Sequence, residues 1–149
     1  MKLATSPLPP LDSITHDRWR ALLGACERAY PNEACGWITI AADARVREAT
    51  TGGRDTFAFS DDDLLAFVRA SRSTTPPWAL FHSHPDGDSE MSTVDRAALA
   101  LHPLPHVIVA VAGGRARAAT LYAWRDGAHD PVARWNAATP GAAATWRRA

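Results

Sequence analysis

The stretch "FHSHPDGDSEMSTVD", residues 81–95, decides how this chain is read. The residues before it, "WALFH", form a compact apolar run that reads as a strand ending in His82. Side chains at i and i+2 of a strand point to one face, so His82 and His84 can reach a single ion from the same side. Pro85 then takes the chain off the sheet. Ser92 opens a helix with "VDRAALAL" behind it, and Asp95 lies in its first turn, where a carboxylate can swing back toward the strand end. A hydrolytic zinc ion needs three protein ligands and one open position for water. Two imidazoles and one carboxylate make such a set. Half of the motif also has a plainer reading: Ser92-x-x-Asp95 has the form of a capping box, which needs no metal. The two roles are compatible, because a residue held by a cap is well oriented for chemistry.

Outward from this stretch, the pattern alternates helices with strands. Trp19, Leu22, Leu23, Cys26 and Tyr30 fall on one face of a helix expected from about Thr15 to Tyr30, capped by Thr15 and ended by Pro31. "CGWITIA" reads as a buried strand, "ARVREATT" as its partner and "TFAFS" as a further short strand. Ser60 is a good N-cap for "DDDLLAFVRASR". Asp61, Asp62 and Asp63 sit on the positive end of that helix dipole, and Leu64, Leu65, Phe67 and Val68 are expected to form its buried side. "HVIVAVA" is the most strand-like run in the chain. Gly113-Gly114 then reads as a two-residue hairpin turn into "RARAATLYAW". This order predicts an α/β layered domain with a mixed sheet. The expected organisation is an extended, Pro-rich segment at 1–13, one folded domain at 14–127 and an Ala-rich tail at 128–149, which the sequence leaves either packed or mobile.

Composition narrows the function classes. The chain has 149 residues, 46% apolar and 21% charged, with a formal net charge of zero. That suits one domain with one core. It also argues against a binder dominated by nucleic-acid phosphates, which usually shows a basic face. No apolar run approaches the roughly 18 residues of a membrane span. Cys26 and Cys35 form neither a zinc-type pair nor a disulfide framework. Without an evident export signal the expectation is reduced thiols and a cytoplasmic protein.

A zinc hydrolase needs a base near its water, and no glutamate stands between the two histidines as it does in H-E-x-x-H. The candidate is Glu33 in "YPNEACGWI", just before an apolar strand. On its own, a glutamate in that position is usually a solvated loop residue. If its strand lies beside "WALFH", it overhangs the metal.

"NEACG" followed by "HSHP-x6-S-x-x-D" resembles the signature of the JAMM (MPN+, Mov34/PAD-1-type) zinc metalloproteases, and is closest to their small stand-alone prokaryotic members. The resemblance covers roughly residues 14–125. It implies a single-domain, cytidine-deaminase-like JAB/MPN fold, a curved mixed sheet flanked by helices. It implies that His82, His84 and Asp95 hold Zn²⁺, that Glu33 moves a proton from the attacking water to the leaving amine, and that Ser92 hydrogen-bonds the developing oxyanion. It further implies deubiquitinase-like hydrolysis of a peptide or isopeptide bond after the C-terminal glycine of a ubiquitin-like or sulfur-carrier protein. The Gly-Gly tail of such a partner would lie as an added strand, with 86–91 and 50–56 as candidate walls of its groove. One departure is Met91, where many relatives carry proline; it is expected to loosen the approach to Ser92.

Other features carry less. Asp61–Asp63 read as helix-start acids rather than a metal site. Cys26 and Cys35 read as buried, inert thiols. His16, His102, His106 and His129 have no partners at ligand spacing and read as surface or structural. A zinc deaminase needs H-x-E and P-C-x-x-C, and neither occurs. A catalytically silent scaffold that binds a partner protein, and a zinc hydrolase of a small amide, stand as alternatives.

Overall fold

The computed structural model describes residues 16–39, 46–49, 53, 59–137 and 147–148. Among them are three helices and one seven-stranded sheet. The helices are α1 (His16–Ala29), α2 (Asp61–Ser71) and α3 (Thr93–Leu99). The strands are β1 (Cys35–Thr39), β2 (Val46–Glu48), β3 (Pro77–Pro85), β4 (His106–Ala112), β5 (Arg115–Arg125), β6 (Ala128–Asn136) and β7 (Arg147–Arg148). The strand order is β2-β1-β3-β4-β5-β6-β7. Every neighbouring pair is antiparallel except β3 and β4, which run parallel. The α/β class with a mixed sheet is therefore as the sequence predicts.

Alternation along the strands divides the core between the two faces of the sheet. On one face, Trp19, Leu22 and Cys26 of α1 pack over Ala79, Phe81, Val107 and Val109. The intervening residues, Leu80 and Ile108, join Trp37, Leu99 and Tyr122 beneath α2 and α3. His82 and His84 belong to this second face by the same period of two. Burying one helix on each side of a sheet is the usual way to cover two apolar faces.

Turn chemistry sets the register of the strands after β3. Gly113 and Gly114, with φ of +57° and +79°, make the two-residue turn between β4 and β5, which is the backbone that fits the strand twist. Asp126 and Gly127, at +49° and +87°, repeat it between β5 and β6. Residues 128–136, read from sequence as the start of a tail, are thus a full strand of the sheet. Trp135 on it is buried and meets Trp19 of α1 edge-on at 5.4 Å. Pro131 is tolerated because it lies at the register shift opposite Leu121 and Tyr122.

Two expectations need correction or fall outside the described residues. Ser60 caps α2 as predicted, its side chain accepting from the Asp63 amide. The buried side of that helix is not the one expected, however. Leu64, Leu65 and Val68 are 49%, 48% and 39% exposed. Only the Phe67 edge reaches the sheet, where Phe67 meets Trp37 at 5.4 Å and Phe59 at 5.9 Å. The four apolar residues span too wide an arc for one shallow contact to cover. The Thr15 cap, the segment 1–13 and most of the "TFAFS" strand lie outside the described residues; Phe59 and Ser60 are irregular.

Gly36 permits the close approach of β2 to β1. A Cβ there would lie 1.9 Å from the Arg47 carbonyl oxygen and 2.8 Å from Phe81 Cε1. The first of these is backbone and has no rotamer to yield. Gly36→Ala is expected to destabilise the chain by about 3 kcal/mol or more, at or above the upper end of ordinary overpacking. Urea unfolding checks this; an unchanged midpoint would contradict the packing described.

Candidate metal centre

The site lies where β3 ends. His82 is fully buried and the His84 side chain is 15% exposed, so the opening to solvent is on the His84 side. The chain turns off the sheet at Asp86, whose φ is +55°, runs through 87–91, and re-enters regular structure at Ser92. Ser92 is the N-cap of α3, and the capping box is complete. Ser92 Oγ accepts from the Asp95 amide at 3.0 Å, and Asp95 Oδ2 accepts from the Ser92 amide at 2.9 Å. The cap fixes the carboxylate at the helix start and turns it toward the strand.

Three side chains converge. Nε2 of His82 lies 3.1 Å from Nε2 of His84. Asp95 Oδ2 is 3.0 Å from His84 Nε2, and Asp95 Oδ1 is 3.3 Å from His82 Nε2. Metal–donor bonds of about 2.05 Å in a tetrahedron set donor–donor edges of about 3.3 Å. The two imidazoles meet different oxygens of the carboxylate, but each spacing is within a few tenths of an ångström of such an edge, so the three side chains fit a tetrahedral ion. Among the described residues these three form the one cluster of His, Cys, Asp and Glu side chains with metal-holding geometry.

The far side of each imidazole is also engaged. His84 Nδ1 is 2.8 Å from the Asp88 carbonyl oxygen, to which it donates, leaving the Nε2 lone pair on the site. His82 Nδ1 is 2.5 Å from Nε2 of His106. His106 was read from sequence as a structural histidine without a partner at ligand spacing. It is buried at the first position of β4, on the same face as His82. Only the parallel pairing of β3 with β4 brings the two together, and no spacing along the chain reveals it.

Electrostatics follow from burial and proximity. Burial pushes the His82 pKa below 6.5 despite its hydrogen bond to Asp95. Burial works against charging His84 too, but Asp95 and the Asp88 carbonyl outweigh it and hold its pKa above 6.5, with the charge of Glu33 adding to the effect. Burial alone would raise Asp95; His82, His84 and the Ser92 amide hold its carboxyl well below the usual carboxylate range. Burial also depresses His106 and His129.

These shifts make metal-free stability depend on pH. His82, His106 and His129 bind fewer protons folded than unfolded, so the stability they contribute is present above pH 6.5 and lost as pH falls below it. Asp95 has the same sign at lower pH. His84 alone opposes: its contribution is present below 6.5 and lost as pH rises through its folded pKa. The metal-free chain is therefore expected to melt lower at about pH 5.5 than at about pH 7.5. A thermal melt that is flat across this range, or rises in acid, would contradict the assignment.

Glu33 is buried. Its amide donates to the Gly53 carbonyl at 2.9 Å, just before β1 begins. β1 pairs with β3 so that Cys35 faces His82. The Ala34 amide donates to Ser83 Oγ, and the Ser83 amide to the Ala34 carbonyl. Glu33 lies just beyond the end of this ladder, close enough that its charge acts on His84. Of the sequence-predicted site residues, the structure thus gathers His82, His84 and Asp95 into one cluster, sets Glu33 beside it, and places the exposed Ser92 at its rim.

The segment 86–91 is tied down at several points. Asp86 accepts from Tyr30 Oη at 2.9 Å, and Ser89 Oγ lies 2.9 Å from Thr120 Oγ1. Glu90 pairs with Arg134 of β6, which lowers the Glu90 pKa, and accepts from Tyr122 Oη at 3.1 Å. Met91 does not loosen the approach to Ser92 as expected. It is buried, and its amide donates to Tyr122 Oη at 2.8 Å, a bond that a proline has no N–H to make. Of the other candidate wall, 50–56, only Gly53 lies within the described residues. The remaining sequence readings find their places away from the donors. Cys26 and Cys35 are buried thiols, and burial pushes Cys26 well above the ordinary thiol range. His102 is exposed, and the His16 side chain lies outside the described residues. No helix among the described residues is long and apolar enough to cross a membrane.

A mixed sheet with helices on both faces and a His-x-His…Asp cluster at a strand end defines an MPN-type domain with a candidate metal centre. The chain belongs to the family of prokaryotic homologs of the JAB domain, whose model matches residues 16–126. Two solved structures are similar in fold. A protein from Desulfitobacterium hafniense is 23% identical with a TM-score of 0.62, over 78% of this chain and 86% of that one. A protein from Salinibacter ruber is 22% identical with a TM-score of 0.53, over 74% and 82%. Among curated proteins no match to this chain is found.

Proposed function

We propose that this chain is a zinc-dependent hydrolase that cuts the peptide or isopeptide bond after the C-terminal glycine of a ubiquitin-like or sulfur-carrier protein. The observation that carries the reading is the convergence of His82 Nε2, His84 Nε2 and the Asp95 carboxylate within about 3.3 Å of one another, open to solvent on the His84 side. His82, His84 and Asp95 would hold the Zn²⁺, which would supply Lewis acidity and lower the pKa of the attacking water to about 7.

The chain's own groups then divide the work. Glu33 is buried beside His84 and takes the proton from the attacking water, then delivers it to the leaving amine. Ser92 Oγ accepts from the Asp95 amide, which leaves its O–H available as a donor. It donates to the oxygen that gains charge as the carbonyl becomes tetrahedral. The segment 86–91, pinned by Tyr122, Thr120 and Arg134, forms a rigid wall for an extended tail. A glycine pair suits such a tail, because backbone without side chains can pass closest to the donors.

The test is incubation of the zinc-loaded chain with a ubiquitin-like protein extended past its Gly-Gly end, followed by mass spectrometry. The expected product ends at the second glycine, and a chelator stops its formation. Turnover of small acyl amides without cleavage of the protein would move the substrate to a small molecule. Full zinc loading with no turnover of either would leave a silent scaffold.

A further inference from the structure

The two ligand imidazoles are anchored differently, and the difference assigns a role to a residue that the proposed function leaves unused. An imidazole can offer Nε2 to an ion only while its proton sits on Nδ1. A buried N–H then needs an acceptor, or the group pays the cost of desolvation. For His84 that acceptor is the Asp88 carbonyl, which is fixed in kind. For His82, which is fully buried, the atom 2.5 Å from Nδ1 is Nε2 of His106. An imidazole nitrogen accepts only in one of its two tautomers; in that tautomer the proton of His106 sits on Nδ1, a buried nitrogen that finds no hydrogen-bond acceptor among the described residues, so the uncompensated donor is moved off the metal ligand and onto His106.

His106 is itself held in place. Its ring lies 4.8 Å from that of His82 and 6.5 Å from that of His129. His129 is fixed in turn by the hydrogen bond from its Nε2 to the Leu104 carbonyl and by an edge contact with Trp124 at 4.8 Å. Being neutral, His106 orients His82 without drawing its proton away as a carboxylate would. The ion then faces two neutral imidazoles and a single carboxylate charge.

We propose that His106 is a positioning residue of the metal centre: its Nε2 accepts the Nδ1–H of His82 and fixes His82 in the tautomer that presents Nε2 to the ion. The inference rests on the metal-site reading above. Partners of this kind typically matter 10–100-fold to metal affinity.

The experiment compares wild type, His106→Leu and His106→Gln. Glutamine can place a carbonyl oxygen near the position of the histidine Nε2; leucine has no acceptor. Zinc affinity is read by competition with a chromogenic chelator, and the His82 tautomer by long-range ¹H–¹⁵N NMR on the metal-free chains. His106→Leu is expected to weaken zinc binding by about 10–100-fold and to mix the His82 tautomers, while His106→Gln stays within about 3-fold of wild type. Equal affinity in His106→Leu and wild type would overturn the role of His106 alone, as would equal losses in both variants, which is the mark of packing. A wild-type chain that takes up no zinc would instead sink the metal reading and this role with it. Should His106→Leu fail to fold, the wild-type spectrum and His106→Gln decide: His82 protonated on Nε2 in the wild type refutes the assignment.

Discussion

Asp95→Asn is expected to lose zinc while keeping its fold. The carboxylate is the single anionic donor of the cluster, and without it two neutral imidazoles face a divalent cation. The loss should exceed about 100-fold in affinity, beyond the range seen when only a supporting partner of a ligand is removed. Asparagine is the informative choice because its amide oxygen can still accept from the Ser92 amide and so preserve the start of α3. Asp95→Ala removes both roles. It should lose the metal and also about 1 kcal/mol of stability, the scale of a lost cap. Comparing the two by chelator competition and thermal melting separates coordination from capping. If Asp95→Asn held zinc as tightly as wild type, the cluster would be a capping motif that happens to lie near two histidines.

Glu33→Gln is expected to do the opposite, leaving the ion bound and stopping the reaction. The substitution keeps the volume of a buried side chain and leaves the backbone bond to Gly53 untouched, so the β1–β3 pairing next to it should survive. What disappears is the basic oxygen. Positioned general bases contribute about 10²–10⁴-fold, and the turnover number should fall by that factor with zinc content unchanged. Retention of rate within about tenfold would show that another group moves the proton. Loss of zinc along with rate would show that Glu33 supports the cluster rather than the water.

The parts of this molecule that were legible in the sequence are those in which nearby residues encode the geometry. The His82-x-His84 pair needs only the two-residue period of a strand. The Ser92 and Ser60 caps need only their own first turns, and Gly113-Gly114 needs only its own backbone freedom. Asp126-Gly127 carries the same turn signal. The strand after it was passed over because "AHDPVARWN" contains a proline and few β-branched residues, and its place in the sheet comes from pairing with β5 and from Trp135 meeting Trp19. The exposed side of α2 was misread because periodicity marks an apolar arc but not how much of it the sheet can reach. His106 and the Tyr122 tether were invisible for a different reason. Each acts on a residue more than twenty positions away, and its partner is decided by which strands lie side by side.

The parallel placement of β3 and β4 has a consequence for how such a molecule can change its preferences. Parallel neighbours cannot be joined by a tight hairpin; the chain must leave the end of one strand, pass over the face of the sheet and re-enter at the end where that strand began. Here that detour is residues 86–105, and it carries Ser92 and Asp95 directly over the imidazoles. Whatever length or composition the first part of the detour takes, it remains the threshold an incoming chain must cross. Changing the side chains at 88–90 would alter admission while the Asp88 carbonyl still held His84 toward the ion.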